Sequence, residues 1–147
     1  MLNHVLIPLD GSRLAEQAIY PIKHLLRPDG QITLLTVIQG EGDYHWAQEY
    51  LEPLAARLKL EGFRAQIEIR EGDPARLIVE RAARLGVDLI AMCTHGRSGL
   101  EKLLFGSVTG DVLSLTVCPV LVVPNRVRQQ SGQDAPASDP SLGWTGQ

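Results

Sequence analysis

The sequence predicts an α/β domain in which five parallel strands form one sheet between two layers of helices. Two kinds of segment alternate along the chain. Segments of strand length are apolar throughout or alternate between apolar and polar residues, and the longer segments between them have apolar residues at helical spacing. A strand–helix–strand succession of this kind requires mainly parallel strands joined by right-handed crossovers. The length of 147 residues and the 44% hydrophobic content are those of one ordinary domain.

The first strand and helix are predicted from residues 4–26. Residues 4–9 (HVLIPL) form a short apolar run that ends in the turn residues 10–12. A helix follows over residues 13–26, with Ser12 as its N-cap and an interruption at Pro21. Pro28, Asp29 and Gly30 then end this helix.

The next three elements show two kinds of strand. Residues 31–38 (QITLLTVI) are nearly all apolar, which is typical of a central parallel strand. Residues 44–60 repeat apolar side chains on one helical face and stop before Gly62. Residues 65–70 (AQIEIR) alternate between apolar and polar, which places this third strand at an edge of the sheet.

The second half of the domain is predicted to hold two helices and two strands. Asp73 is the N-cap of a helix that begins with Pro74 and ends before Gly86. A fourth strand covers residues 87–92, and a helix follows from about residue 107 to residue 115. A short fifth strand covers residues 120–123 between two prolines.

A chain that winds outward from the first strand and then back across it has the strand order 3-2-1-4-5. Ligands of such sheets bind at the switch point, here between strands one and four. The loop after strand one carries Asp10, whose carboxylate suits ribose hydroxyls. The loop after strand four, residues 93–109, carries three glycines, His95, Arg97 and Lys102 before a helix N-terminus. These loops together predict a nucleotide with its sugar at strand one and its phosphates at loop four.

The glycines of loop four and Asp10 can also be explained by local structure, without a ligand. Glycines in such a loop permit tight turns, and Asp10 caps the helix that follows it. The patterns GxxxxGK[ST] and GxGxxG are absent, so the chain has neither a standard P-loop nor a standard dinucleotide fingerprint.

Composition argues against several classes of protein. A net charge of −3 and 5% aromatic residues disfavour nucleic-acid binding. Two cysteines, Cys93 and Cys118, are too few for a disulfide framework and lack the paired spacing of a zinc site. The chain shows neither a secretory leader nor an apolar run near the ~20 residues of a membrane span, so we expect a soluble cytoplasmic protein.

Several segments together resemble the universal stress protein family. Its signature is Gly, two residues, Gly, nine residues, then Gly followed by Ser or Thr, and the chain has Gly96, nine residues, Gly106 and Ser107. VLIPLDGS, LLTVI, EGDPARLIVERA and CPVLVVP also match, in the right order, over about residues 2–124. The resemblance implies a Rossmann-like fold of the adenine nucleotide alpha hydrolase type over residues 1–125. Residues 126–147 are rich in Gln, Ser, Pro, Asp and Gly, and this composition predicts a disordered tail in which Trp144 is a candidate docking anchor.

The resemblance also implies a ligand and a partner. The ligand would be ATP, with Mg²⁺ as a companion ion, and AMP or another adenosine-containing ligand stays open. The edge of strand five, residues 120–123, would pair with a second copy in a homodimer. The residues implied to bind the nucleotide are Pro8, Leu9, Asp10, Val37, Met92, Gly96, Arg97, Gly99, Gly106, Ser107, Val108 and Thr109.

One departure from the signature keeps a second reading open. Cys93 stands where the family's first signature glycine is expected, and the family has members that bind no nucleotide. The alternative is therefore a nucleotide-free dimeric interaction module of the same fold. A thiol nucleophile formed by Cys93 and His95 is a further, weaker alternative. No dedicated catalyst is visible, although slow ATP hydrolysis or self-phosphorylation at Ser107 or Thr109 stays open.

Overall fold

The computed structural model describes residues 1–94 and 106–124. Within that part of the chain, five parallel strands form one sheet in the order β3-β2-β1-β4-β5. The strands are β1 (Leu2–Pro8), β2 (Leu26–Ile38), β3 (Arg64–Glu71), β4 (Leu89–Thr94) and β5 (Val120–Pro124). The helices are α1 (Arg13–Glu16), α2 (Ile19–Leu25), α3 (Tyr44–Leu60), α4 (Pro74–Leu85) and α5 (Ser107–Leu115), and a 3-10 turn covers Glu41–Asp43. The predicted fold class and strand order are confirmed.

Two apolar layers cover the faces of this sheet. Val5 and Ile7 of β1 pack on one face in the cluster that also holds Leu51 of α3. Leu6, between them, packs on the other face in the cluster that holds Ile78 of α4. Successive strand residues point to opposite faces, so a strand covered on both sides is apolar at every position. This explains why residues 5–7 of β1 are all apolar and buried.

The first predicted helix is two helices, and the break is not where we expected it. α1 ends at Glu16 and α2 begins at Ile19, so the interruption precedes Pro21. Proline lacks an N–H and clashes with the carbonyl four residues earlier, but it is tolerated in a first turn. A restart at Ile19 puts Pro21 in the first turn of α2. The predicted N-cap is confirmed, because the Ser12 hydroxyl accepts a hydrogen bond from the Ala15 N–H at 3.0 Å.

The second strand begins earlier than predicted. β1 pairs with β2 at Leu2–Leu26 and next at His4–Gln31, so the residues between Leu26 and Gln31 bulge out of the ladder. Asp29 within the bulge has a φ of 62°, the left-handed conformation that Asp and Asn tolerate in turns. The turn residues are therefore real, but they interrupt a strand that has already started.

The remaining elements differ from the prediction by two residues or fewer at their ends. The α4 caps are confirmed, because Asp73 Oδ2 accepts from the Arg76 N–H at 3.0 Å and Gly86 has a φ of 66°. The edge position of β3 is confirmed by its pairing with β2. Residues 126–147 lie outside the described residues, so the division into a domain and a tail stays a prediction. None of the described helices has the length and apolarity needed to cross a membrane.

Candidate functional site

The site begins where β1 and β4 part. The Asp88 N–H donates to the His4 carbonyl at 2.8 Å, so even-numbered residues of β1 direct their backbone groups towards β4. Pairing between the two strands reaches Leu6 and Ile90. The next even-numbered residue is Pro8, which has no N–H to donate. Pro8 therefore cannot donate the next hydrogen bond of the ladder between β1 and β4. Pairing ends at Leu6, and the two strands separate at the carboxyl end of the sheet.

A crevice of about 310 Å³ opens at this point. Its walls come from the carboxyl ends of β1, β2 and β4 and from the N-terminal parts of α1, α4 and α5. The lining residues are Pro8, Leu9, Asp10, Ser12, Leu14, Ala15, Leu35, Val37, Pro74, Ile78, Met92, Cys93, Gly106, Ser107, Val108 and Thr109.

The structure brings together nine of the twelve residues for which we predict nucleotide contact. These nine are Pro8, Leu9, Asp10, Val37, Met92, Gly106, Ser107, Val108 and Thr109, and all of them line the crevice. The other three, Gly96, Arg97 and Gly99, lie outside the described residues. The structure shows that these nine residues line one crevice. That any of the twelve residues contacts a ligand stays a prediction.

Seven lining residues were not among the predicted contacts. Ser12, Leu14 and Ala15 lie within five residues of Asp10, so their position next to the crevice could be predicted from the sequence. Leu35 is two residues from Val37 and points to the same face of β2. Pro74 and Ile78 belong to α4 after the edge strand, and only the packing of α4 on the sheet brings them here. The seventh is Cys93, which we singled out as the departure from the signature.

Three hydrogen bonds hold the exit of β1. The Leu9 N–H donates to the Leu35 carbonyl at 2.8 Å, and the buried Thr36 hydroxyl donates to the Leu9 carbonyl at 2.9 Å. One residue further, Asp10 Oδ1 accepts from the Ser12 N–H at 2.9 Å. Both backbone groups of Leu9 are thus satisfied by β2. The exposed Asp10 carboxylate is therefore presented to the crevice from an anchored backbone.

The N-terminus of α5 forms the opposite wall. Gly106 is the N-cap and supplies no side-chain hydrogen bond, and the first turn carries no acidic residue. The first intrahelical bond runs from the Gly110 N–H to the Gly106 carbonyl at 3.0 Å. The amides of Ser107, Val108 and Thr109 come before it and have no partner within the helix. A helix end of this kind carries partial positive charge, which favours an anion.

The floor of the crevice between these walls is apolar. Leu35 is fully buried, Ile78 and Met92 are nearly so, and Val37 is half-buried. These four side chains belong to the apolar cluster between the sheet and the α4–α5 layer. An apolar surface flanked by a few polar groups is the usual composition of a small-molecule site.

The two cysteines lie in different surroundings, and neither forms a disulfide. Cys93 is half-buried and lines the crevice, next to Val123 of β5 in the ladder. Cys118 lies outside the crevice, with its Sγ 3.8 Å from the Val87 carbonyl oxygen. Burial raises the pKa of the Cys118 thiol, and the Asp88 carboxylate raises it further. Cys118 is therefore not an activated thiol. His95, the partner in the thiol-nucleophile alternative for Cys93, lies outside the described residues.

No cluster of three or more His, Cys, Asp or Glu side chains fit to hold a metal ion occurs within residues 1–94 and 106–124. Within those ranges, the charged group that the crevice presents to a ligand is the Asp10 carboxylate.

Comparison with known proteins decides the family. The model of the universal stress protein family matches residues 1–124. The chain belongs to the universal stress protein family. Universal stress protein MJ0531 of Methanocaldococcus jannaschii is 33% identical over 140 residues, which cover 84% of this chain and 82% of that protein. Universal stress protein YxiE of Bacillus subtilis is 26% identical over 147 residues, which cover 84% of this chain and 99% of that one.

Solved structures of universal stress proteins share the fold. The structure of MJ0577, from M. jannaschii, superposes with a TM-score of 0.74 at 31% identity and covers 84% of this chain and 96% of its own. A universal stress protein in complex with cAMP gives 0.68 at 22% identity, covering 84% and 97%. A family member from Arabidopsis thaliana with AMP bound gives 0.66 at 18% identity, covering 95% and 98%. The last two are similar to this chain in fold.

Proposed function

We propose that this universal stress protein binds an adenine nucleotide, with ATP as the first candidate, in the crevice between β1 and β4. The observation that carries the proposal is the convergence of Asp10 and the N-terminus of α5, where the N-cap Gly106 has no side chain to cap the helix, on one crevice with an apolar floor. The volume of about 310 Å³ given by the described residues falls at the lower end of the usual range for ligand sites. Two structures of the same fold hold adenine nucleotides, cAMP in one and AMP in the other.

Each part of the crevice suits one part of a nucleotide. The apolar floor at Val37 and Met92 offers a surface for the flat base. The carboxylate of Asp10 would accept hydrogen bonds from the ribose hydroxyls. The amides at the start of α5 and the Ser107 hydroxyl would donate to phosphate oxygens. Mg²⁺, if it accompanies the phosphates, would take most of its ligands from phosphate and water.

The first experiment identifies what the protein carries. The protein is purified without added nucleotide and denatured, and the released nucleotides are separated by chromatography. We expect ATP at close to one per chain in the wild type and a loss in the Asp10→Ala variant. Asp43→Ala, which removes an exposed carboxylate outside the crevice, is the matched control and should retain the ligand. No released nucleotide, together with flat calorimetry in millimolar ATP and Mg²⁺, would overturn the proposal.

Affinity measurements on protein from which bound nucleotide has been removed give the contribution of Asp10 to the binding free energy. A hydrogen bond to a charged group contributes about 1.5–3 kcal/mol, so Asp10→Ala should weaken binding of adenosine and ATP alike by about 10- to 150-fold. A variant that binds ATP as tightly as the wild type would exclude Asp10 as a ribose contact.

A substitution at the start of α5 separates phosphate binding from folding. Ser107→Asp places a carboxylate in the first turn, which stabilises a helix N-terminus but repels a phosphate in the same place. We expect the free energy of unfolding to be unchanged or higher and the affinity to fall more for ATP than for adenosine. A similar loss for both ligands would place the phosphates elsewhere. A series of adenosine, AMP, cAMP and ATP also tells which adenine nucleotide the site prefers.

Three further properties belong to the same proposal. The protein acts in a stress response through its nucleotide-bound and nucleotide-free states, and it works in the cytoplasm, where thiols such as Cys93 and Cys118 stay reduced. It forms a homodimer through the edge of β5, whose half-buried residues 120–123 pair with β4 on one side. Sedimentation equilibrium should give twice the chain mass of 16.1 kDa. A single-chain mass at tens of micromolar would remove the dimer.

The second candidate function is a nucleotide-free interaction module of the same fold. The observation that favours it is Cys93, which lines the crevice at the position of the family's first signature glycine. A side chain there takes up space that glycine leaves open. ATP binding by the wild type would exclude the module, and a flat wild-type titration would favour it; in the second case, Cys93→Gly tells whether the thiol is the cause. This substitution restores nucleotide binding if the thiol blocks the crevice, and it leaves a flat titration flat if the fold serves as a module.

A further inference from the structure

An aromatic pair on α3 packs against the loop that carries Asp10. Trp46 and Tyr50 are one helical turn apart, and their rings are stacked with centroids 5.5 Å apart and planes 6° from parallel. Neither residue lines the crevice. The pair therefore contacts the loop from outside the crevice.

The contact between Trp46 and the loop is made at Gly11. A Cβ built on Gly11 would lie 2.8 Å from Trp46 Cζ2, so the indole rests directly on the glycine backbone. Gly11 also has a φ of 94°, a conformation that side chains of L-residues rarely adopt. Both neighbours of this glycine, Asp10 and Ser12, line the crevice. The indole thus packs against Gly11, which directly joins the crevice residues Asp10 and Ser12.

Tyr50 connects the same pair to α1. Its hydroxyl donates to Glu16 Oε2 at 2.7 Å. Burial raises the pKa of Tyr50 and the Glu16 carboxylate raises it further, so the hydroxyl stays protonated and remains a donor. The backbone N–H of Gly11 acts on this pKa in the opposite direction. Tyr50 is therefore tied to α1 by its hydroxyl, and its ring is the surface on which Trp46 stacks.

We propose that Trp46, held by Tyr50, is a positioning residue that sets the place of the Asp10 carboxylate in the crevice through Gly11. The inference rests on the proposed function in that Asp10 is taken as a ligand contact. It goes further because it makes nucleotide affinity depend on a side chain that does not touch the ligand.

A double-mutant cycle tests this proposal. Trp46→Ala should weaken ATP binding on the order of tenfold, within the range of couplings between residues linked by a shared backbone shift. It should have almost no further effect in the Asp10→Ala background, because the residue it positions is gone. Trp46→Phe, which keeps an aromatic ring on the loop, should recover most of the affinity. Tyr20→Ala is the matched control, since Tyr20 is also a half-exposed aromatic but lies on α2, does not line the crevice and is not among the residues that a Cβ on Gly11 would meet.

The fluorescence of Trp46 gives a second test. ATP binding would not shift this fluorescence if Trp46 only stabilised the fold. The chain has two tryptophans, so a Trp144→Phe variant carries Trp46 as its single indole. We expect ATP to shift the emission of Trp46 in that variant, with a midpoint equal to the calorimetric dissociation constant. Asp10→Ala should reduce the shift at saturating ATP.

The outcomes separate this inference from the proposed function. If the wild type binds ATP and Trp46→Ala binds it equally well, or if the losses from Trp46→Ala and Asp10→Ala add, the positioning role is wrong and the proposed function stands. If the wild type binds no adenine nucleotide, the proposed function fails and this inference fails with it. Denaturation midpoints measured on each variant confirm that the titrated protein is folded.

Discussion

The hydroxyl of Thr36 donates a hydrogen bond to the carbonyl of Leu9 at 2.9 Å in the core of the protein. Thr36 belongs to β2, and Leu9 is the first residue after β1. Both residues are buried, so water does not supply the carbonyl with another donor. The bond fixes the direction in which the chain leaves β1, immediately before Asp10.

Thr36→Val should lower the free energy of unfolding. Valine has the shape of threonine but leaves the buried Leu9 carbonyl without a donor, which costs about 1–3 kcal/mol. Urea denaturation should therefore show a lower midpoint with an unchanged m-value. Ser114→Ala is the control, because it removes a hydroxyl that bonds an exposed helix carbonyl and should change stability by less than about 0.5 kcal/mol. Equal midpoints for Thr36→Val and the wild type would contradict the assignment.

Gly11→Ala should destabilise the protein more than Gly62→Ala. Both glycines have a φ near 100°, so alanine is strained at each position by about 1–3 kcal/mol. A Cβ at Gly62 meets nothing within 4 Å, whereas one at Gly11 lies 2.8 Å from Trp46. The difference between the two variants in the free energy of unfolding therefore measures the steric clash with the indole. That difference should disappear in a Trp46→Ala background, and its persistence there would show that the clash is not with Trp46.

Arg81→Met should loosen α4 from the edge strand. Arg81 Nε and the terminal NH2 group donate to the two carboxylate oxygens of Glu68 on β3 at 2.8 and 3.0 Å. This bidentate pair is largely shielded from water, so its loss should cost about 1.5–3 kcal/mol. Arg84→Met, at an exposed position of the same helix, should stay within about 0.5 kcal/mol of the wild type. Equal effects of the two substitutions on the free energy of unfolding would count against the pair.

Acidification should destabilise the protein through His4. Burial lowers the pKa of His4, and the Asp88 carboxylate only partly opposes this effect. The ring shares a 2.8 Å hydrogen bond with the buried Thr33 hydroxyl. Because the folded-state pKa lies below the unfolded value, the unfolded chain binds the proton more tightly. The contribution of His4 is complete above the ordinary histidine pKa of about 6.5 and is lost as the pH falls below it.

Denaturation curves between about pH 7.5 and pH 5.5 measure this effect. The free energy of unfolding of the wild type should fall with pH across this window, and His4→Gln should flatten the slope. The pKa of Asp88 is lowered by the N–H donors of Asn3 and His4, so its contribution is lost only in more acidic solution. A slope that is the same in His4→Gln and the wild type would exclude His4 as the source.

Cys118 should react slowly with iodoacetamide near neutral pH. Its pKa is raised, chiefly by burial, so the reactive thiolate is scarcer than in a free thiol. The measurement uses Cys93→Ser, in which Cys118 is the one remaining cysteine, and follows the alkylation rate by mass spectrometry. The same variant in urea is the control and should react at the rate of a free thiol. Equal rates in the folded and unfolded protein would show that the thiol is not shielded.

The fold and much of the crevice could be predicted because they depend on local patterns. The alternation in β3 predicted an edge strand, and the apolar runs of β1 and β2 predicted strands buried on both faces. From that order, the switch point and the approach of Asp10 to the start of α5 follow by topology alone. The signature residues Gly106 and Ser107 indicated the universal stress protein family.

Features that depend on competition between nearby residues were predicted less well. Pro21 indicated an interrupted helix, but the break lies before it, because proline is compatible with the first turn of the restarted helix. The turn residues 28–30 indicated the end of a helix, but they form a bulge within β2 because Leu26 already pairs with Leu2. In each case the residue type was informative and the boundary was decided by pairing or packing.

By itself, therefore, the sequence determined the element order, the parallel sheet, the family and the loops that face the switch point. The tertiary structure decided that α4 contributes Pro74 and Ile78 to the crevice, that Thr36 holds the exit of β1, and that Trp46 rests on Gly11. The physical reason is that hydrophobic periodicity reports which face of an element is buried. Distances of a few ångströms between residues far apart in sequence are instead set by the packing of the whole core.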